Sequence, residues 1–389
     1  NGQIISSLLD NLELDVPEHI TRYFTYEMTE NADANQSYIK GKQIVDFLHS
    51  PEKLKESENH FIDAIRLDSD FVEAYAYLGT VYRWMYKYEE AEEKLELALK
   101  IAENNFNEPG LATVYNHIGI LYRFWEKHTK ALEYFEKGLE LEIKLEDQFS
   151  EGKILQNMAN CYSYISKTDI SEEYFLKALA IYEGLEEEHA ISNTHAEMGN
   201  NYKNRREYTR ALEFHFKALG KYRKLGMAFN EFRVMYVISD TYERLGMYAE
   251  VEKYIANSID LAEEYQDYYS LGKIFSISSR VNIWNGKIED AISDLQEAVE
   301  NFQLTGREYQ SSSILTNLAF IYLEIGELSR AEKTFKKAER LSSRKKEAFH
   351  DFRILLGNQI LQIVQGTATS QTVENIISEY KSNIIDKTN

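Results

Sequence analysis

Small and large apolar residues return along this chain at a fixed interval. An apolar-small-x-x-Tyr block occurs as Leu78-Gly79 with Tyr82, Ile118-Gly119 with Tyr122, and Met158-Ala159 with Tyr162. It recurs as Met198-Gly199 with Tyr202, Ile238-Ser239 with Tyr242, and Leu318-Ala319 with Tyr322, and Ser279 keeps the register between the last two. The small positions thus run 79, 119, 159, 199, 239, 279, 319, a constant step of 40. Twelve residues after each comes Ala91, Ala131, Ser171, Ala211, Val251, Ala291 or Ala331. Four further on stands a large residue (Leu95, Phe135, Phe175, His215, Ile255, Leu295, Phe335), then, three beyond, a small one (Ala98, Gly138, Ala178, Ala218, Ser258, Ala298, Ala338).

Spacings of three and four place residues on one face of an α-helix, so each period predicts two helices. In the first, helix A, the Gly or Ala lets a partner helix approach and the Tyr fills the space one turn along. In the second, helix B, small-large-small forms a ridge that interlocks with the next period. Neither hairpin can bury its apolar face alone; stacking them builds one core. An irregular copy comes first, with Gly41, Ser57, Phe61 and Ala64 and about four extra residues around Ser50-Pro51.

These positions resemble the tetratricopeptide-repeat (TPR) family, whose pattern runs Leu-Gly-x-x-Tyr, then Ala-x-x-x-Phe and a further Ala. The resemblance implies an all-α, right-handed α-α superhelical TPR solenoid of about eight hairpins plus a C-terminal capping helix pair. The common TPR has 34 residues. The six or so added here are expected in a longer helix B and the connection after it, in segments such as 98–105 and 138–145. A step of 40 is similar to adaptors of the Pins/LGN type and to bacterial Rap-type peptide receptors.

Residues 4–14 carry Ile4, Ile5, Leu8, Leu9 and Leu12, the stripe of a short amphipathic helix, and Pro17 follows. The stretch from Glu30 through Gly41 to Asp68 resembles the junction in large bacterial signalling proteins. There, a kinase, nucleotide cyclase or winged-helix domain leads, often through a TolB-like segment, into a TPR array. That resemblance and the missing initiator Met suggest a chain cut from something longer. At the far end Phe349–Gln365 reads as a helix in register, then a break at Gly366–Ser370 and a polar-faced helix over Val373–Ile385. The expected organisation is a linker segment over 1–33, eight repeats over 34–348, and capping helices over 349–389.

Composition supports this reading. Three Pro and 18 Gly in 389 residues leave few helix breakers. Aromatic residues at 13% supply a large apolar surface. A net charge of −20 excludes a general binder of nucleic acid or of anionic membranes. The single Cys161 excludes an internal disulfide or a Cys-based zinc cluster and fits a cytoplasmic setting. No run approaches the ~20 apolar residues of a bilayer span.

Family geometry turns the second, fifth, ninth, twelfth and thirteenth positions of helix A into the concave groove, with the small residue counted eighth. The resemblance therefore implies basic lining residues Arg83, Arg123, Lys153, Lys203, Arg233, Arg244, Lys273 and Arg280, against acidic Glu73, Asp240, Glu243 and Glu324. Eight bases against four acids invert the balance of the whole chain. Asn116, Asn160, Asn193, Asn200, Asn204 and Gln156 share the face, and Asn157 sits at its edge. Carboxamides pair with extended backbone, while Arg and Lys receive carboxylates. Trp84, Phe124, Tyr164 and Trp284, all thirteenth, supply apolar contacts. The expected partner is a protein or an acidic peptide, centred on repeats three to five. A self-contained peptide receptor and a homo-oligomeric scaffold are the alternatives.

Catalytic signatures are missing. His195-Ala196-Glu197 has the His-x-Glu of zinc deaminases, but no Pro-Cys-x-x-Cys follows. There is no Gly-x-Ser-x-Gly, Walker loop, His-Glu-x-x-His or Gly-x-Gly-x-x-Gly. His215 occupies a core slot, and nothing places a base beside Cys161. No enzymatic activity, cofactor or metal is expected.

Overall fold

A computed structural model describes residues 28–47, 51–306, 308–342, 348–367, 369, 371, 373–375 and 377–378. Among the described residues every regular element is an α-helix. In order they are α1 (Ala32–Phe47), α2 (Pro51–Leu67), α3 (Val72–Trp84), α4 (Tyr88–Asn104), α5 (Glu108–Phe124), α6 (His128–Lys144), α7 (Gln148–Tyr164), α8 (Thr168–Gly184), α9 (Glu188–Asn204) and α10 (Tyr208–Lys224). They continue with α11 (Ala228–Arg244), α12 (Tyr248–Glu264), α13 (Tyr268–Trp284), α14 (Ile288–Leu304), α15 (Glu308–Glu324), α16 (Leu328–Ser342) and α17 (Ala348–Val364). The array of helical hairpins expected from the sequence is the architecture observed. None of the helices is long and apolar enough to cross a membrane.

The chain divides into two compact units, Asn1–Val234 and Met235–Asn389, the division falling within α11. In the first, α1 pairs with α2, α3 with α4, α5 with α6, α7 with α8 and α9 with α10. Each first helix also touches the first helix of the next pair, from α1 to α9. In the second, α13 pairs with α14 and α15 with α16, and α17 lies against both α15 and α16.

The small residue of each first helix is where its partner's large side chain lands. A Cβ added to Gly79 would lie 2.8 Å from Leu95, one on Gly119 2.5 Å from the Phe135 ring, and one on Gly199 2.3 Å from His215. Leu95, Phe135, Phe175, His215, Leu295 and Phe335 are all buried, and each fully buried apolar side chain contributes roughly 1.5–3 kcal/mol. The second small residue of helix B receives the following hairpin: a Cβ on Gly138 would sit 3.1 Å from Ile154 of α7. In the irregular first hairpin Phe61 packs on Gly41, and Ser57 Oγ donates to the Gly41 carbonyl (2.8 Å).

Three-residue turns join most helices. The middle residue has positive φ: Tyr86, Phe106, Glu126, Glu146, Ser166, Glu186, Arg206 and Gln266, with Gly at 226, 246, 286, 306 and 326; Gly366, beyond the end of α17, has positive φ as well. The turn after α3 shows the geometry: Tyr86 N–H donates to Arg83 O (3.0 Å) and Lys87 N–H to Tyr82 O (2.9 Å), the paired bonds of a left-handed helix cap. Asn107, Asp147 and Asp267 cap the helices that follow them by accepting from the backbone N–H three residues on.

Two expectations need correction or bounding. The extra length is not confined to helix B: from α4 to α15 first and second helices alike span 17 residues, because the backbone ladder extends ahead of the motif in α5 and α7 as well as beyond it in α4 and α6. The amphipathic helix over 4–14 and Pro17 lie outside the described residues. Of the last expected helix, positions 373–375 and 377–378 are helical, and the remainder lies outside the described residues.

Candidate functional site

The first helices α1, α3, α5, α7 and α9 stand side by side in the first unit, and polar side chains on their shared face reach from one to the next. Thr80 Oγ1 on α3 pairs with His117 Nδ1 on α5 at 2.9 Å. Asn157 Nδ2 on α7 donates to Asn116 Oδ1 on α5 (3.3 Å). Thr194 Oγ1 on α9 donates to Gln156 Oε1 on α7 (3.5 Å). Asn193 Oδ1 accepts from Tyr222 (2.6 Å) and from Asn230 Nδ2 (3.4 Å). Asn200 Oδ1 lies 3.2 Å from His215 Nε2. The structure therefore engages Asn116, Asn157, Asn193 and Asn200 inside the molecule, while Asn160 is half-buried and Asn204 exposed.

The cations fall into two groups. Arg280, in the second unit, forms a two-pronged ion pair with Glu243 (2.8 and 3.4 Å) and reaches Ser276 (3.2 Å). Arg244 pairs with Asp240 (3.2 Å). Arg233 is exposed over the Phe229 ring, and Lys203 is half-buried. Arg83, Arg123 and Lys153, in contrast, lie on α3, α5 and α7 with no carboxylate in ion-pairing reach among the described residues. Arg83 is only 8% exposed, and the Nε atoms of both Arg83 and Arg123 are buried without a hydrogen-bond acceptor.

What surrounds these guanidinium groups is aromatic. Arg83 sits 4.5 Å from the Trp84 centroid and 4.4 Å from that of Phe124, and Arg123 lies 4.4 Å from the same Phe124 ring. Trp84 and Phe124 are 6.2 Å apart. Tyr164 stacks on His128 at 4.7 Å, and Lys153 rests over Phe149. Cation–π attraction holds such layers together. Phe124 and Tyr164 keep 41% and 58% of their surface exposed, so the thirteenth positions do present rings outward.

Burial and then the positive charge of Arg123 push Arg83 downward from its ordinary range. His117 is driven down to about 3 by burial first, then by Arg83, Lys42 and Lys153. Three cations acting on one neutral imidazole mark a locally positive field in a chain of net charge −20. Burial pushes the Cys161 thiol up to about 12, which leaves it protonated and a poor nucleophile. Glu73, expected to line the groove, is buried at 4% exposure. The sequence reading missed His117 and Thr80; both are ordinary polar residues until the neighbouring helix brings them together.

Residues 70–143 and 312–344 match tetratricopeptide-repeat families. The chain thus contains tetratricopeptide repeats, folded as a TPR-like array. No curated protein matches it in sequence. Among solved structures it is similar to a signal-transduction ATPase with numerous domains that has a tetratricopeptide-repeat sensor, from Pyrococcus horikoshii. The identity is 16% and the TM-score 0.59, over 94% of this chain and 54% of that one. It is also similar to the apo form of the quorum sensor NprR from B. thuringiensis (16%, TM-score 0.55, 87% of this chain and 92% of that one). A Rap protein complexed with Competence and Sporulation Factor aligns at 17% identity and TM-score 0.51, over 84% of this chain and 99% of that one. These likenesses concern the fold.

Proposed function

We propose that the chain is a protein- or peptide-binding module whose ligand lies against the first-helix face of the first unit, recruiting or sensing a partner for an attached signalling effector. The observation that carries this reading is the set of cations on that face, Arg83, Arg123 and Lys153, left without carboxylates beside outward-turned rings. A solvated surface of an acidic protein pairs its cations, as Lys144 with Glu108 and Lys221 with Glu188 do here. The role is one of binding and not of catalysis, in the cytoplasm, and the ligand is acidic. Asn160, Lys203 and Asn204 extend the face toward α9.

A second reading, a self-contained receptor for a signalling molecule, is favoured by the near-complete coverage of the Rap protein and NprR. The two differ in whether an effector is joined to the chain, and the complete reading frame separates them.

The test is a peptide array against the chain at two salt concentrations. Acidic peptides are expected to bind and to weaken as salt rises, since exposed charges are screened beyond about 10 Å at 0.1 M. Arg123→Glu combined with Lys203→Glu should abolish that binding. Retention of full affinity by the doubly reversed variant would remove the proposed face from consideration.

A further inference from the structure

We propose that the crevice between α4, α5 and α6 is a binding site for a small aliphatic diamine. Its methylene chain lies on an apolar floor and its two ammonium groups meet Glu96 and Glu103. The proposal stands apart from the peptide-binding reading, since none of the residues expected to line the groove lines this crevice.

The crevice follows from a missing ring. In the slot filled by Phe61 in α2, Phe135 in α6, Phe175 in α8 and His215 in α10, α4 carries Leu95. Leu95, Leu99, Leu121 and the ring of Tyr134 then border an open volume of about 290 Å³. Leu99 and Tyr134 are half-buried, so this apolar floor is reached from outside. Methylene groups gain by leaving water for such a surface. The rim differs in charge from the same register one repeat on, where α6 has Leu132 and Ile143 in place of Glu92 and Glu103.

Glu92 is already engaged. It accepts from the Tyr122 hydroxyl and lies 3.5 Å from the Lys130 ammonium, which in turn sits 4.1 Å from the Tyr122 centroid. One end of the crevice thus holds an alkylammonium of this chain between a carboxylate and a ring. Glu96 and Glu103 are exposed, and among the described residues neither carboxylate has an ion pair or a hydrogen bond. Two helical turns separate them, which puts them on one face of α4, about 10 Å apart along its axis. An unbranched diamine of about five carbons covers that span once an ion-pair contact is added at each end. Lys100 stands between them, and two carboxylates with one lysine leave a negative balance that suits a dication and repels an anion. A monoamine would meet only one of the two carboxylates. No group of His, Cys, Asp and Glu able to hold a metal ion occurs among the described residues.

The test titrates the full chain with 1,5-diaminopentane by calorimetry, alongside pentylamine, 1,5-pentanediol and N-acetyl-lysine amide. One diamine per chain is expected, with pentylamine weaker by about threefold or more and the diol without binding. Leu95→Phe should remove the binding, because Gly79 faces Leu95 as Gly119 faces Phe135 and leaves the ring room to enter. Glu96→Gln and Glu103→Gln should each weaken the diamine by about threefold or more. Glu263→Gln, at the corresponding exposed position of α12, should leave it unchanged. The doubly substituted Glu96→Gln/Glu103→Gln protein, altered only at exposed positions, decides the matter if Leu95→Phe melts early.

Full diamine affinity in folded Leu95→Phe or in the double Gln variant would overturn the site, as would pentylamine or the diol binding as well as the diamine. Several diamines per chain, weakened equally by Glu263→Gln, would mean counter-ions of an acidic protein and no site. N-acetyl-lysine amide binding as tightly as the diamine, with the same loss in Leu95→Phe, would overturn the diamine in favour of a lysine side chain from a partner protein.

Discussion

At the scale of single residues, the face along the first helices is a ledger of which polar groups already have partners. Asn116 and Asn157 bond each other, Asn193 answers Tyr222, and Arg280 answers Glu243. Arg83 and Arg123 have rings in place of acceptors. His117 gives this environment a thermodynamic signature. Its imidazole is held down to about 3 in the folded chain, against about 6.5 in an unfolded one. The unfolded state therefore binds more protons below about pH 6.5, and stability falls as pH drops through that window. The groups facing it are Arg83, Lys42 and Lys153, all cationic, with Thr80 and Tyr77 uncharged. His128, His189 and His195, also shifted down mainly by burial, act with the same sign. Urea denaturation at pH 7.5 and 5 should show a parent that loses stability with acid, by up to about 1.4 kcal/mol per pH unit for His117 alone. His117→Gln should show a shallower slope; an identical slope would mean that this histidine protonates freely.

At the scale of elements, the controlling dimension is the gap between the two helices of a hairpin. Gly199 faces His215 so closely that a Cβ would come within 2.3 Å of its ring. The ring is locked in the core, and packed interiors yield to extra atoms only with strain. Gly199→Ala should cost about 1–3 kcal/mol despite the better helix propensity of alanine. In a His215→Ala background the same change should be neutral or stabilising. Chemical denaturation of the four proteins completes the cycle; equal costs in both backgrounds would disprove the close-approach account. Much of this level is written in the sequence, since Gly79, Gly119, Ala159 and Gly199 stand where Leu95, Phe135, Phe175 and His215 need room. The turns are less legible. Tyr86, Phe106 and Glu126 adopt positive φ although none is glycine or asparagine, because fixed helix ends force the turn. Propensity alone points elsewhere.

At the scale of the molecule, contacts are made mostly within a hairpin and with the next one. Stability then resembles a sum over neighbours, and regions of the array can open separately. The two compact units, Asn1–Val234 and Met235–Asn389, each hold tryptophans, Trp84 and Trp125 in the first and Trp284 in the second. Urea transitions followed by tryptophan emission and by helical circular dichroism should not coincide. Superimposable curves would indicate one cooperative unit.

The sequence by itself determined the helical periods, the register of small against large residues and the hairpin pairing. Those depend on spacings of three, four and twelve within one segment, which local geometry converts directly into contacts. It also marked the helix-A positions from which Arg83 and Arg123 project. Only the tertiary structure decided which of the polar residues there remain without an acceptor, since the answer depends on side chains 37 or 41 residues away, as in the Arg280–Glu243 and Asn157–Asn116 bonds. A long guanidinium arm can reach several neighbours, and which one it meets is set by the packing of the adjacent helix.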